Sequence, residues 1–165
     1  MKTNISNQMN MIKTMTFFFL AMFLVYSSGL AANPAGVQEF KLLFKNITSA
    51  TNEATRSLSA SKSAQSAAAV LNTYGDKMEK YSDQLDKLDE KYSELTEAEE
   101  PPAELEKELA EMETAFEAFA ESLDKVSESY EGDDRFREAA ERVASILTPE
   151  EDDSEDDEEE ELSDE

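Results

Sequence analysis

From residue 71 to residue 95, apolar side chains return at alternating steps of three and four: Leu71, Tyr74, Met78, Tyr81, Leu85, Leu88, Tyr92 and Leu95. A second ladder repeats the rhythm after a double proline, through Leu105, Leu109, Met112, Phe116, Phe119, Leu123, Val126 and Tyr130. A repeat of about 3.5 residues keeps one narrow seam in line on a helix. Sustained over this many turns, it predicts two helices packed lengthwise as a coiled-coil hairpin. Pro101-Pro102 forms the corner, because each ring pushes the preceding residue out of helical geometry and also suits the first turn of the next helix.

The flanking segments extend the pattern to an all-α antiparallel bundle of three to four helices. Asn33-Pro34-Ala35-Gly36 has the chemistry of a helix start, and Phe40, Phe44, Ile47, Thr51, Ala54 and Leu58 follow at helical steps, giving a first helix over 37–58. A serine-rich turn at 59–63 leads to a second helix over 63–97. Gly75 lies inside it without shifting the seam, so the helix is expected to run through and to use Gly75 for a close helix contact. The third helix covers 102–130, and Gly132-Asp133 ends it and starts a fourth over 134–147.

Folded about the prolines, the two ladders face each other with residue numbers that sum to 200 or 201: Leu95 with Leu105, Leu88 with Met112, Leu85 with Phe116, Tyr81 with Phe119 and Tyr74 with Val126. By the same folding-back, Phe40 of the first helix reaches the level of Tyr81, and Leu147 of the fourth reaches Phe119. The expectation is a four-helix base from which the hairpin projects as an arm over about 82–118. Leu85, Leu88, Met112 and Phe116 in that arm are the candidate interaction surface, for a partner or a second copy.

The chain termini change the picture next. Lys2 and Lys13 precede an apolar run from Met15 to Tyr26, then small residues, which is the layout of a signal peptide over 1–31 cleaved after Ala31. That run is shorter than the roughly 20 residues a membrane span needs, so no stable anchor is expected after cleavage. Residues 150–165 carry 13 of the 39 acidic residues and no basic one, so −13 of the net charge of −24 sits there and −11 on the rest. With Leu162 its one apolar residue, the segment is expected to be a disordered acidic tail after a domain over 32–149.

Composition then removes chemistry. The chain has no His and no Cys, which closes the usual zinc sites, haem attachment, di-iron helix pairs and Cys- or His-based catalysis. No catalytic, cofactor or metal residue is expected, and Met78 and Met112 are read as core. Glu104, Glu106, Glu108, Glu111, Glu113, Glu117 and Glu121 miss the seam of the third helix and are expected in solvent. Tyr74, Tyr81, Tyr92 and Tyr130 are expected to angle their hydroxyls to water. Asn46-Ile47-Thr48 matches a glycosylation acceptor. Lacking basic clusters, the chain disfavours nucleic acid as a partner. Taken together, the sequence leads us to expect a secreted or periplasmic, non-enzymatic bundle that acts through a protein partner or self-association. The alternative is an acidic, low-affinity buffer for divalent cations such as Ca²⁺ or for cationic ligands.

Overall fold

In the computed structural model, which describes residues 33–93, 102–130 and 132–147, helices begin where side chains take up their free backbone amides. Helix α1 is Pro34–Ser59, with Asn33 Oδ1 accepting from the amides of Ala35 (3.1 Å) and Gly36 (3.4 Å). Helix α2 is Ala64–Lys91, opened by a capping box in which Ser63 and Ser66 each accept from the other's backbone N–H at 3.2 Å. Helix α3 is Glu106–Tyr130, entered through a turn closed by the Leu105 amide on the Pro102 carbonyl, 2.7 Å. Helix α4 is Asp134–Leu147, where Asp133 Oδ1 accepts from the amides of Arg135 and Phe136.

The described residues form an all-α bundle of four helices. Helix α1 runs antiparallel to α2, with Glu53 meeting Lys77 and Glu39 meeting Lys91. It runs parallel to α3, with Lys45 meeting Glu108 and Ser59 meeting Ser122. Helix α4 packs on the other flank of α2, parallel to it, and sets Phe136 edge-on to Tyr130 of α3. The sequence-predicted boundaries at 37, 63, 134 and 147 lie close to these, and α2 crosses Gly75 without a break.

Two details of the expected hairpin are corrected. The principal backbone neighbour of α3 is α1, and α2 meets α3 across the core through side chains. Their register differs by one heptad: Phe119 stacks on Tyr74, centroids 4.6 Å apart, where the sequence pairing put Val126. At that register Leu88 comes level with Leu105, and Met112 lies about 10 Å further along the axis. A strict heptad ladder looks the same after a shift of seven residues, so periodicity alone does not choose between the two registers.

The reach of α1 is a further correction. Phe40 packs on Tyr92, centroids 6.5 Å apart, and so passes well beyond Tyr81. Tyr92 leaves the helix at φ −134°, ψ 42°, which swings its ring toward α1. The segment of α2 expected to project as an arm therefore has α1 alongside it. Leu95 and the prediction of helix up to residue 97 fall outside the described residues, as do the leader and the acidic tail.

Where α4 stops is written in α2. The heptad position held by Ala68 and Gly75, both buried, passes to Ser82 and Asp89, both exposed. The apolar face is wide enough for two neighbours as far as Met78, and narrows to Tyr81, Leu85 and Leu88 beyond it. A narrow face needs fewer covering helices, and α4 ends at Leu147 with Ile146 beside Gly75.

Candidate interaction surface

Gly75 is the point of closest approach between α2 and α4. A Cβ there would stand 3.2 Å from Ile146 Cδ1 and 3.5 Å from Arg142 Cζ, so the missing side chain is what lets α4 settle. Arg142 then reaches across to Asp76 (2.7 Å) and Glu79 (2.8 Å), with a longer contact to the Asn72 carbonyl at 3.4 Å. One guanidinium thus joins both acids on the flank of α2 that α4 covers. The sequence reading did not single out this cluster. Its signal was there, as polar residues at 72, 76, 79, 83, 86 and 90 that repeat every three or four positions beside the apolar seam.

The four candidate residues share one core without forming one exposed patch. Met112 is buried, while Leu85, Leu88 and Phe116 are half-buried and packed against the same cluster. By helical phase Leu88 lies on the α1 side of α2, near the stripe of Lys77 and Lys91. Phe116 lies on the flank of α3 turned from α1, with buried Ala120 and Ser127. Leu85 points toward the core between these flanks. Met78 is buried like Met112, which bears out their reading as core residues.

Three tyrosine hydroxyls depart from the expectation that they point to water. Thr51 Oγ1 donates to the Ile47 carbonyl at 2.9 Å, so at the 3.0 Å contact between Thr51 and Tyr74 the tyrosine is the donor. Both residues are buried, and burial raises the Tyr74 phenol far above its ordinary pKa, with the Thr51 hydrogen bond offsetting only part of this. Tyr92 donates to Glu39 Oε1 at 3.0 Å and Tyr130 to the Ser61 carbonyl at 3.4 Å. These rings close helix ends and seams, because a buried hydroxyl is stable only with a partner.

Glu108 also departs from expectation. It is 5% exposed, since α1 covers the flank of α3 on which it lies. Burial opposes its charge, yet its own backbone N–H, Lys45 at 3.4 Å and nearby Lys41 together hold the carboxyl below its ordinary pKa. Glu39 is likewise held low, by the ammonium of Lys91 and then by the Tyr92 hydroxyl. Neither acid stands opposite a second carboxylate in a cleft. Among the described residues there is no group of three or more acidic, His or Cys side chains able to hold a metal ion.

Shallow grooves flank α1 on two sides among the described residues. One of about 230 Å³ lies between α1 and α2 along Ala50, Glu53, Val70 and Lys77. The other, between α1 and α3, is lined by polar residues including Lys45, Asn52, Arg56 and Glu111. Asn46 of the acceptor pattern is exposed in mid-helix beside buried Ile47. No helix among the described residues is long and apolar enough to cross a membrane.

The class defined by this geometry is a four-helix bundle whose shortest helix covers part of one flank. No protein-family model matches the chain, and neither the curated proteins nor the solved structures compared with it give a match.

Proposed function

We propose that the chain is a non-enzymatic bundle protein, secreted or periplasmic after cleavage at Ala31, that acts by protein–protein contact on the flank where α4 ends. One observation carries this reading: Leu85 of α2, past the level at which α4 ends, and Phe116 of α3, level with that end, are only half-buried at the edge of the core. Apolar area left at the edge of a core favours a covering partner, at about 25 cal/mol for each Å² removed from water. The acidic outer faces select against anionic partners by repulsion.

Site-specific photocrosslinking tests it. A benzophenone amino acid at Leu85 is expected to give protein adducts, with another chain or a second copy, in the exported fraction. The same probe at Leu42, a 63% exposed leucine on α1, is the control and is expected to give none. Equal labelling from both positions, or none from Leu85, rejects the reading.

A further inference from the structure

Helix α1 carries a second stripe, on its outer face. Leu42, Lys45, Ser49, Asn52 and Arg56 recur at alternating steps of three and four, and all are exposed. The last four of them run along the groove of about 490 Å³ beside α3. No Asp or Glu occurs between Phe40 and Asn52, and α1 is the one described helix with more basic than acidic side chains, Lys41, Lys45 and Arg56 against Glu39 and Glu53. Glu111 is the one acid lining the groove, and Lys107 meets it at 3.5 Å. Glu108 is buried beside Lys45, and Glu53, one turn from Arg56, is taken by Lys77 at 2.7 Å. That leaves the Arg56 guanidinium without an ion pair among the described residues.

We infer that the acidic segment 150–165 of the same chain folds back into this groove, with its carboxylates on Arg56 and Lys45 and its Leu162 on Leu42. Register sets the starting point. The pairing of Glu53 with Lys77 puts Gly75 level with Thr55, and Ile146 stands beside Gly75, so α4 ends at the level of the Arg56 end of the groove. From there the way round α3 is about 25 Å, roughly two to three helix spacings, and the stripe from Arg56 to Leu42 is about 21 Å long. Extended chain covers the first in about eight residues and the second in about six. Counted from Thr148, this brings Leu162, the one apolar residue of 150–165, to Leu42, the one exposed large apolar side chain among the described residues. Charge and tether select this occupant. The segment carries 13 acidic side chains and no basic one, so either face of an extended chain presents carboxylates. Exposed pairs are individually weak, and the tether offsets this with an effective concentration in the millimolar range. Lys80 and Lys87 on α2 are less favourable, standing among Asp76, Glu79, Asp83, Asp86 and Glu90. The contact is internal, so Leu42 stays without adducts to another chain.

A benzophenone amino acid at Ser49, in the groove of the whole chain, tests this. Tryptic mapping reads the result, because no Lys or Arg follows Arg142 and residues 143–165 are released as one peptide. Ser49 is expected to link into 150–165, and to do so less as salt is raised. The same probe at Thr73, exposed in the groove on the other side of α1, is expected to give no such link. Asn52→Glu combined with Arg56→Glu, which leave Lys45 and Glu108 in place, should lower the Ser49 yield about fivefold or more. Gln65→Glu combined with Lys80→Glu, also at exposed positions, make the same charge change on α2 and should leave the yield within about twofold.

Absence of a link from Ser49 to 150–165, or equal links from Thr73, overturns the inference. Equal loss with both double variants means diffuse repulsion from a more acidic surface and overturns it too. When the probe-bearing chain is mixed with a heavy-isotope-labelled copy, links to the heavy peptide assign the groove to the acidic segment of a second copy and reject folding back within one chain.

Discussion

Replacing Thr51 by Val keeps the shape of the side chain and removes the oxygen that accepts the Tyr74 proton. Thr51 is 0% and Tyr74 2% exposed, so water does not take over. The stranded hydroxyl should lower stability by about 1–3 kcal/mol, the cost of a buried polar group that loses its partner. Tyr74→Phe is milder, at about 0.5–1.5 kcal/mol, because Thr51 still donates to Ile47 and loses only what it accepted. The double variant leaves no orphan, and its cost should not exceed that of Thr51→Val alone. A coupling of about 1 kcal/mol or more between the two sites is expected. Urea unfolding followed by circular dichroism measures it, since a slope of about 1–3 kcal/mol per molar makes a 2 kcal/mol loss a midpoint shift on the order of 1 M. Simple additivity of the two single effects, or an unchanged midpoint for Thr51→Val, refutes the assigned direction of this bond.

The remaining predictions draw on the same packing. Because burial raises the folded-state pKa of Tyr74 above its ordinary value of 10.0, the stability it contributes is complete below that value and is lost as pH rises above it. Tyr74→Phe should therefore flatten the alkaline fall in stability, and identical profiles for the two proteins contradict the burial argument. At Gly75, alanine gains about 1 kcal/mol of helix propensity against a 3.2 Å contact with the flexible end of Ile146, so Gly75→Ala should be close to neutral. Gly75→Leu should cost about 1–3 kcal/mol and speed hydrogen exchange in α4 before the other helices; uniform acceleration across the bundle contradicts that account. Amino-terminal sequencing of exported protein should begin at Ala32, and an intact leader on the exported chain rejects the cleavage site.

Helix number and most helix ends were legible because local chemistry decides them. Asn33, Ser63 and Asp133 cap their own helices, and the information lies within three residues of each cap. Neighbour choice was less legible. A seam at a and d positions reports that a helix has a partner without naming it, and α1 offers an apolar face to both α2 and α3. Glu108 was misplaced for that reason: it misses the ladder of α3 and lies on the flank given to α1. The tyrosine partners were hidden too, since Thr51 with Tyr74 and Ser61 with Tyr130 become neighbours only once the helices are arranged. The candidate surface was half legible. Leu85 and Phe116 were named from the ladder and lie half-buried at the edge of the core, while the Arg142 bridge to Asp76 and Glu79 was not foreseen, because it forms only once α4 is set on α2.

Charge placement then carries information that the apolar ladder lacks. In a chain this acidic, two helices brought side by side repel unless something bridges them, and a set of long basic side chains lies over the seams. Lys77 and Lys91 tie α2 to α1, Lys45 ties α1 to α3, and Arg142 ties α4 to α2. The exposed pairs among these, which leaves aside Lys45 with buried Glu108, are worth about 0–1 kcal/mol each, too little to hold the bundle together. They matter for choice among arrangements, because an alternative packing loses the bridge and meets acid with acid.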